Sequence, residues 1–315
     1  MNDDRLFLIT SATGNTGKPA ARLLLSRGHR VRALVHKEDD RSRQLAAEGA
    51  EIVVGDLLDF HDVSSALRGV SGAYFCYPIA GGLLDATVAF AQAATEAGIR
   101  SVVNMSQISA RREAGSNAAR QHWLAERLLD RTAMLTAHLR PTFFAEWIST
   151  WWGRRGDEGV LRLPFGNGRH APVAAVDQAY VIAAILENPQ PHDRQAYPLY
   201  GPVEMDYYGI AAAVTRALGI PVSYEPISID EFANGLASLG RSPHLIQHLS
   251  NVAIDYQNGI FQGTNNLIGV IGNRTPMTVE EFVIDRKHVF DRNGPNFVPP
   301  RPGLTAVLPA SSRRS

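Results

Sequence analysis

The sequence predicts an α/β fold, a doubly wound parallel sheet followed by a smaller C-terminal lobe. Two observations carry this. Short β-rich runs alternate with helical segments through the first half of the chain, and such repeats imply parallel strands joined by right-handed crossovers. The first run, Leu6-Phe7-Leu8-Ile9, is apolar at every position, as a strand covered on both faces must be.

The elements follow in order. Residues 18–27 read as a helix, with Pro19 in its first turn, where proline is tolerated, and Gly28 just past its end. Strands are expected at 31–35, 52–54 and 73–77. An alanine-rich helix over 83–97 closes at Gly98, a fifth strand covers 101–105, a helix covers 121–130 and a strand covers 134–139. After Arg140 the pattern loosens. Phe143, Phe144, Trp147, Trp151 and Trp152 form an aromatic cluster, expected on a helix. Ser228 with Glu231, and Thr278 with Glu281, read as capping boxes of later helices. The division expected is a dinucleotide-binding domain over 1–150, a lobe over 151–292 interleaved with it, and an extended or disordered tail over 293–315. That tail holds five prolines, and its Arg313 and Arg314 read as solvated.

Composition narrows the function. In 315 residues, Lys+Arg and Asp+Glu both number 31, and a balanced charge argues against a nucleic-acid or polyanion binder. No apolar run reaches the roughly 18 residues of a membrane span, and the acidic start of the chain is not a signal peptide. The single cysteine, Cys76, excludes an internal disulfide and anchors no metal site by spacing; it reads as a buried, inert thiol. A reducing cytosol, hence a cytoplasmic protein, fits all of this.

The segment Thr10-Ser11-Ala12-Thr13-Gly14-Asn15-Thr16-Gly17 joins the first strand to the first helix. A strand ending in a glycine-containing turn that opens a helix is an anion site, because free N–H groups and the helix dipole face the ligand. This is the Rossmann arrangement. Gly14 lets the backbone approach a pyrophosphate, Gly17 lets the helix pack on the sheet, and Asn15 and Thr16 offer side-chain hydrogen bonds. An acidic residue closing the second strand would select NAD; this chain has His36 and Lys37 there. Basic groups at that point favour the 2′-phosphate of NADP(H) over NAD, with Arg41 and Arg43 in reach if the loop folds back. Asp56 and Leu57, after the third strand, are placed to meet the adenine. Tyr77 and Pro78 end the fourth strand on the ligand edge of the sheet, on the nicotinamide side.

At this point a resemblance becomes specific. Residues 12–17, Val31-Arg32-Ala33-Leu34-Val35, Gly55-Asp56-Leu57 and Leu139-Arg140-Pro141-Thr142-Phe143-Phe144 resemble the NmrA-like family, a branch of the atypical short-chain dehydrogenases/reductases. Residues 162–168, Val176-Asp177 and Tyr200-Gly201-Pro202 extend the similarity over roughly 5–290. The resemblance implies a Rossmann domain with a small α/β substrate lobe, and puts Pro141 beside the cofactor. The family holds NADPH-dependent reductases of quinones, enones and iminium compounds, and redox-sensing regulators that bind the dinucleotide without turnover.

The departures from the family pattern bear on chemistry. Ser11 stands where the loop usually begins with glycine. Short-chain dehydrogenases use a tyrosine acid and a lysine four residues on; aligned on Glu126, this chain has Ala118 and His122 at those places. The serine position falls at Ser106 or Gln107. His122 is therefore the candidate acid, with an ordinary pKa near neutrality, or else a partly buried helix histidine. Phe143, Phe144, Trp147 and Trp151 either wall a flat substrate pocket or pack a core, and His170 reads as a solvated loop residue. The function expected is an NADPH-dependent reductase of a small hydrophobic quinone, enone or imine, acting as a monomer or homodimer. The alternative is a non-catalytic NADP(H) sensor with a protein partner.

Overall fold

In the computed structural model, which describes residues 5–300, the first half of the chain runs β1 (Leu6–Ile9), α1 (Gly17–Ser26), β2 (Arg30–Val35), α2 (Asp40–Ala47), β3 (Glu51–Val54), α3 (Phe60–Ala66), β4 (Gly72–Phe75), α4 (Leu83–Glu96), β5 (Ser101–Met105), α5 (Asn117–Leu129) and β6 (Leu135–Pro141). The second half adds α6 (Glu146–Thr150), β7 (Trp152–Arg155), β8 (Glu158–Leu163), β9 (Arg169–His170), α7 (Ala175–Glu187), β10 (Gln195–Leu199), β11 (Met205–Asp206) and α8 (Tyr207–Leu218). It ends with β12 (Val222–Pro226), α9 (Ile229–Ser238), α10 (Pro243–Gln257), α11 (Leu267–Gly272) and α12 (Val279–Asp285).

Seven strands form one parallel sheet in the order β10-β6-β5-β4-β1-β2-β3. The central strands β1, β4 and β5 are buried at every position; β1 is apolar throughout, and in β5 the buried Asn104 amide is paired with His138 at 3.1 Å, while edge strand β3 is not buried. One core lies on the α1 and α7 side, around Phe7, Ile9, Leu24 and Val103. The other lies under α4, where Phe75 and Phe90 pack with ring centroids 4.5 Å apart. The strand order reverses between β1 and β4, and open α/β sheets bind ligands at that switch point.

The lobe is interleaved with the sheet. After β6 the chain leaves to build α6 to β9, returns to lay α7 and edge strand β10 on the sheet, and leaves again. The return and the second exit touch: Gly201 N–H donates to Ala171 O at 2.9 Å, and a Cβ on Gly201 would lie 1.8 Å from Pro172 O. The lobe carries a three-stranded sheet, β12-β8-β7, and a two-stranded one, β11-β9. No helix among the described residues is long and apolar enough to cross a membrane.

Several expectations are corrected here. The segment after Lys37 is not a loop but the start of α2, capped by Asp39, whose carboxylate accepts from the Arg41 and Ser42 amides. Asp59 caps α3 in the same way. The helix under the aromatic cluster has only five residues; Phe143 and Phe144 precede it and Trp152 opens β7. Thr278 and Glu281 close a full capping box, but Ser228 only half of one, because the Glu231 carboxylate turns to Arg162 at 2.7 Å. Residues 293–300 are not a free tail: Gly294 N–H donates to Trp152 O, Arg162 donates to Val298 O, and Val298 is buried. Residues 301–315, with Arg313 and Arg314, lie outside the described residues.

Candidate functional site

The loop after β1 is held from below. The Thr10 hydroxyl accepts from Cys76 N–H at 2.8 Å and donates to Cys76 O at 3.0 Å, and Ser11 Oγ donates to the same carbonyl at 2.9 Å. Ser11 itself sits at φ +47°, a left-handed conformation that costs a non-glycine residue about 1 kcal/mol; its hydroxyl bond to Cys76 offsets this. Ser11 O then accepts from Gly14 N–H at 2.8 Å. Gly17 passes so close beneath that a Cβ there would lie 2.4 Å from Ser11 O. At Gly14 the added Cβ meets only Ser11 O, at 3.1 Å; the space that glycine leaves open there belongs to the groove. The N-terminus of α1 carries no side-chain cap; Lys18 N–H is taken by Gly14 O at 3.1 Å and Pro19 has none, which leaves the Gly17 N–H and the helix dipole for a ligand.

Not every loop side chain faces that ligand space. Ala12 is buried. Thr16 is buried and its hydroxyl pairs with Tyr74 Oη at 2.7 Å, so it serves the core and not a ligand; Asn15 is exposed. A groove of about 460 Å³ runs outward from the loop over β2 and β3. Ser11, Thr13, Gly14, His36, Asp56 and Leu57 line it as the sequence suggests. Lys37 is exposed and is not on the groove wall; Arg41, from the first turn of α2, is. Its guanidinium is paired with Asp39 at 2.6 Å. Arg43 turns to Asp40 instead. The Asp56 carboxylate accepts from Leu58 N–H at 2.9 Å, which stiffens the turn, and Leu58 adds an exposed apolar face to the groove.

Tyr77 and Pro78 line both this groove and a second, inner cavity of about 230 Å³. Phe143, Phe144, Trp147 and Pro141 wall the cavity, joined by Met105 and by Phe261 from the lobe. Phe143 stacks on Phe261, centroids 4.5 Å apart, and leans on Trp147 at 4.7 Å. Trp151 is absent from the wall: it is packed in the lobe core, 5.2 Å from the Phe232 ring. Cys76 is half-buried on the cavity wall, not deep in the core, and its low-polarity surroundings push the thiol pKa up, so it stays protonated.

The polar groups of the cavity sit at one end. Ser106 Oγ donates to Glu126 at 2.6 Å; Glu126 is wholly buried and gripped by Arg140, so Ser106 is committed to that pair. Gln107 accepts from Ser109 Oγ through its amide oxygen, while its buried amide nitrogen has no protein partner. His122 is 6% exposed and its Nδ1 has no protein partner either. Burial pushes its pKa down to about 4, against an upward pull from Glu126. The near-neutral acid expected from the sequence is thus replaced by an imidazole that is uncharged at pH 7. His170 is neither in the cavity nor solvated: it is 1% exposed, bonded to Tyr256 Oη at 2.7 Å, and pushed down to about 3 by burial.

A second cavity histidine, His248, comes from α10. Its signal was in the sequence: Leu245, His248, Leu249, Val252, Ala253 and Tyr256 recur at helical spacing, and the histidine breaks an apolar stripe. Arg111 fastens this helix over the cavity through Asp255, with one bond at 2.8 Å. Gln247 bonds the Asn117 amide and Gly115 O, each at 3.0 Å.

Comparison with known proteins adds context to this geometry. The sequence pattern described as "NmrA-like family" matches residues 3–283. The chain is 25% identical over 279 residues to an NAD(P)H azoreductase of Xenophilus azovorans, covering 88% of this chain and 96% of that protein. It is 24% identical over 292 residues to quinone oxidoreductase 2 of Escherichia coli, covering 91% and 100%. The crystal structure of the NADPH complex of an Escherichia coli NADPH-dependent quinone oxidoreductase superposes with a TM-score of 0.77 at 23% identity, covering 90% of this chain and all of that one. NmrA, a negative transcriptional regulator in complex with NAD, superposes at 0.78 with 15% identity, covering 90% and 95%.

Proposed function

This chain belongs to the NmrA-like family, and from that premise we propose that it is an NADPH-dependent reductase of a small hydrophobic acceptor, a quinone, enone or imine. The observation that carries the reading is the junction at Tyr77 and Pro78, where a groove suited to a dinucleotide opens into an uncharged aromatic cavity. The residues fit the cofactor. The uncapped end of α1 and the space at Gly14 suit a pyrophosphate. His36 and Arg41 suit a 2′-phosphate, and Leu57 and Leu58 suit the flat face of an adenine. The bound dinucleotide supplies a hydride. The names of the azoreductase and quinone oxidoreductase relatives fit the same chemistry.

The chain's own residues then bind, orient and exclude water. Phe143, Phe144 and Trp147 give a planar acceptor flat apolar walls. A cavity of about 230 Å³ is below the roughly 300 Å³ at which drug-sized pockets begin, so the acceptor is small. No side chain here is suited to give up a proton at pH 7: Ala118 replaces the tyrosine, His122 is neutral and Tyr77, whose hydroxyl donates to Gly81 O, has a raised pKa. The proton comes from water. General acid catalysis is commonly worth about 10²–10⁴-fold, so acceptors that need little of it are favoured over simple ketones.

The test is NADPH consumption against a panel of quinones, enones, imines and unactivated ketones. Quinone reduction is expected, with His122→Phe within about fivefold of wild type in kcat, well short of an acid's contribution. A loss of a hundredfold or more in that variant would return the acid role to His122. Tight NADPH binding with no acceptor consumed would instead establish the sensor, the reading that the missing tyrosine–lysine pair favours.

Cofactor choice has its own test. Arg41→Ala is expected to weaken NADPH several-fold and leave NADH nearly unchanged, since an exposed charge-assisted contact is worth about 1 kcal/mol. Lys37→Ala is expected to do less, because Lys37 is off the groove wall. Equal losses for both dinucleotides on calorimetry would remove the phosphate assignment.

A further inference from the structure

The cavity ends in hydrogen-bonding groups that the fold leaves unused. His122 Nδ1 and Gln107 Nε2 are buried without a partner, and a buried polar atom left unpaired is costly unless a ligand completes it. His248 differs from both because its orientation is fixed. It is 2% exposed, and its Nδ1 lies 2.7 Å from Ser116 Oγ. Ser116 already accepts from the Ala119 amide at 3.1 Å, as the cap of α5. A hydroxyl that has accepted one N–H still has its own proton to give. Donated to His248 Nδ1, that proton places the ring's remaining N–H on Nε2. Burial and the neighbouring His122 and His244 push the pKa of His248 down to about 3, so the ring is neutral, and with Ser116 as the donor to Nδ1 its N–H is carried on Nε2. Every other lining side chain is uncharged as well.

Resting on the reductase reading for its site but not for its outcome, we propose that His248, oriented by Ser116, receives the carbonyl oxygen of the acceptor, and that the favoured ligand is a neutral planar carbonyl compound, a quinone or cyclic enone. A sulfonate or carboxylate would enter a low-polarity cavity with no cation on its wall. This residue comes from the lobe, so the lobe chooses the acceptor while the sheet holds the dinucleotide.

The test measures binding to the full chain, with and without saturating NADP+, which cannot reduce the ligand. The probes are 1,4-naphthoquinone, its 2-sulfonate, and naphthalene, which keeps the rings and lacks the oxygens. Wild type is expected to prefer the quinone to both others. His248→Phe is expected to lose about tenfold in quinone affinity, the worth of one neutral hydrogen bond, with naphthalene unchanged. His248→Gln, whose amide can present an N–H at similar reach, is expected to recover most of the loss, and Ser116→Ala to lose a few-fold. Should His248→Phe fail to fold, the glutamine and Ser116 variants still decide the matter. Equal loss for quinone and naphthalene would mean a packing role only and would overturn the proposal. So would unchanged quinone affinity in His248→Phe, a preference lost only in His122→Phe, or no quinone binding by wild type. A quinone bound through His248 but never reduced by NADPH would defeat the reductase reading and leave this assignment standing.

Discussion

A Gly17→Ala chain should stay folded and lose dinucleotide binding by about a hundredfold or more, roughly 2.7 kcal/mol. The new Cβ would lie 2.4 Å from Ser11 O, 2.9 Å from Ser11 C and 3.0 Å from Ala12 Cα. All three are backbone atoms, and they cannot retreat. Ser11 is tied to Cys76 O through its hydroxyl, the neighbouring Thr10 brackets the Cys76 peptide, and Ala12 is fully buried. The loop must open, and the N–H groups it aims outward are scattered. Gly14→Ala is a useful contrast, since its Cβ meets only Ser11 O at 3.1 Å. It should weaken binding by intruding on the groove while leaving thermal stability close to wild type. Calorimetric titration with NADPH, beside circular dichroism melting, reads both effects. A folded Gly17→Ala protein that binds NADPH as wild type does would show that the loop is not the site.

Acidification should be the second large effect. His122, His170 and His248 are buried, and burial holds their pKa values at about 4, 3 and 3. In the unfolded chain each titrates near 6.5. Above that value neither state binds the protons and the three cost nothing. As pH falls below 6.5 the unfolded chain takes up protons that the folded one refuses, so stability falls. Each group contributes up to about 1.4 kcal/mol per pH unit in this window. By pH 5 the loss reaches several kcal/mol, a large share of the stability of an ordinary domain. The loss ends only where the folded-state values are reached. Urea unfolding followed from pH 7.5 to 4.5 measures it, and His170→Asn, at a residue that does not line the cavity, should flatten the slope by about a third. A stability that stays level down to pH 4.5 would mean that these rings are accessible to protons in the folded state.

What the sequence revealed depended on how strongly a local pattern was dictated. The strand at 101–105 spans the five residues the sequence predicts, because the run Val102-Val103 between a helix-closing glycine and the next polar segment marks a buried strand, and the one buried amide in it, Asn104, finds His138 as partner. The loop from Ser11 to Gly17 was legible because its spacing belongs to one place, between a first strand and a first helix. Helix α5 begins four residues before the start the sequence suggests: Ser116 is its cap, and the polar Asn117 and Arg120 hide the first turn. Helices α2 and α3 were missed because they are short and polar, and their aspartate caps look like surface loop. Without α2, Arg41 comes into reach only if the loop folds back, whereas the helix carries it to the groove wall. The inner cavity was only half legible. Its near wall, Phe143 to Trp147, follows a strand that the sequence marks. Its far wall, His248, Val252 and Phe261, arrives from more than a hundred residues away, and no local pattern encodes which lobe helix will close over which strand edge.

The repeated passage of the chain between sheet and lobe has a mechanical consequence. A jaw attached by one strand of polypeptide can swing about it, as hinged enzymes do when they close on a ligand. Here three such passages lie side by side, the exit after β6, the return before α7 and the second exit after β10, joined where Phe144 pairs with Val173 and where Gly201 N–H meets Ala171 O. The Pro172 carbonyl leaves no room at Gly201 for even a methyl group. Swinging the lobe would have to twist all three together and shear those contacts. The lobe is therefore braced against the sheet edge, and the walls it contributes to the cavity are held at the spacing those contacts set.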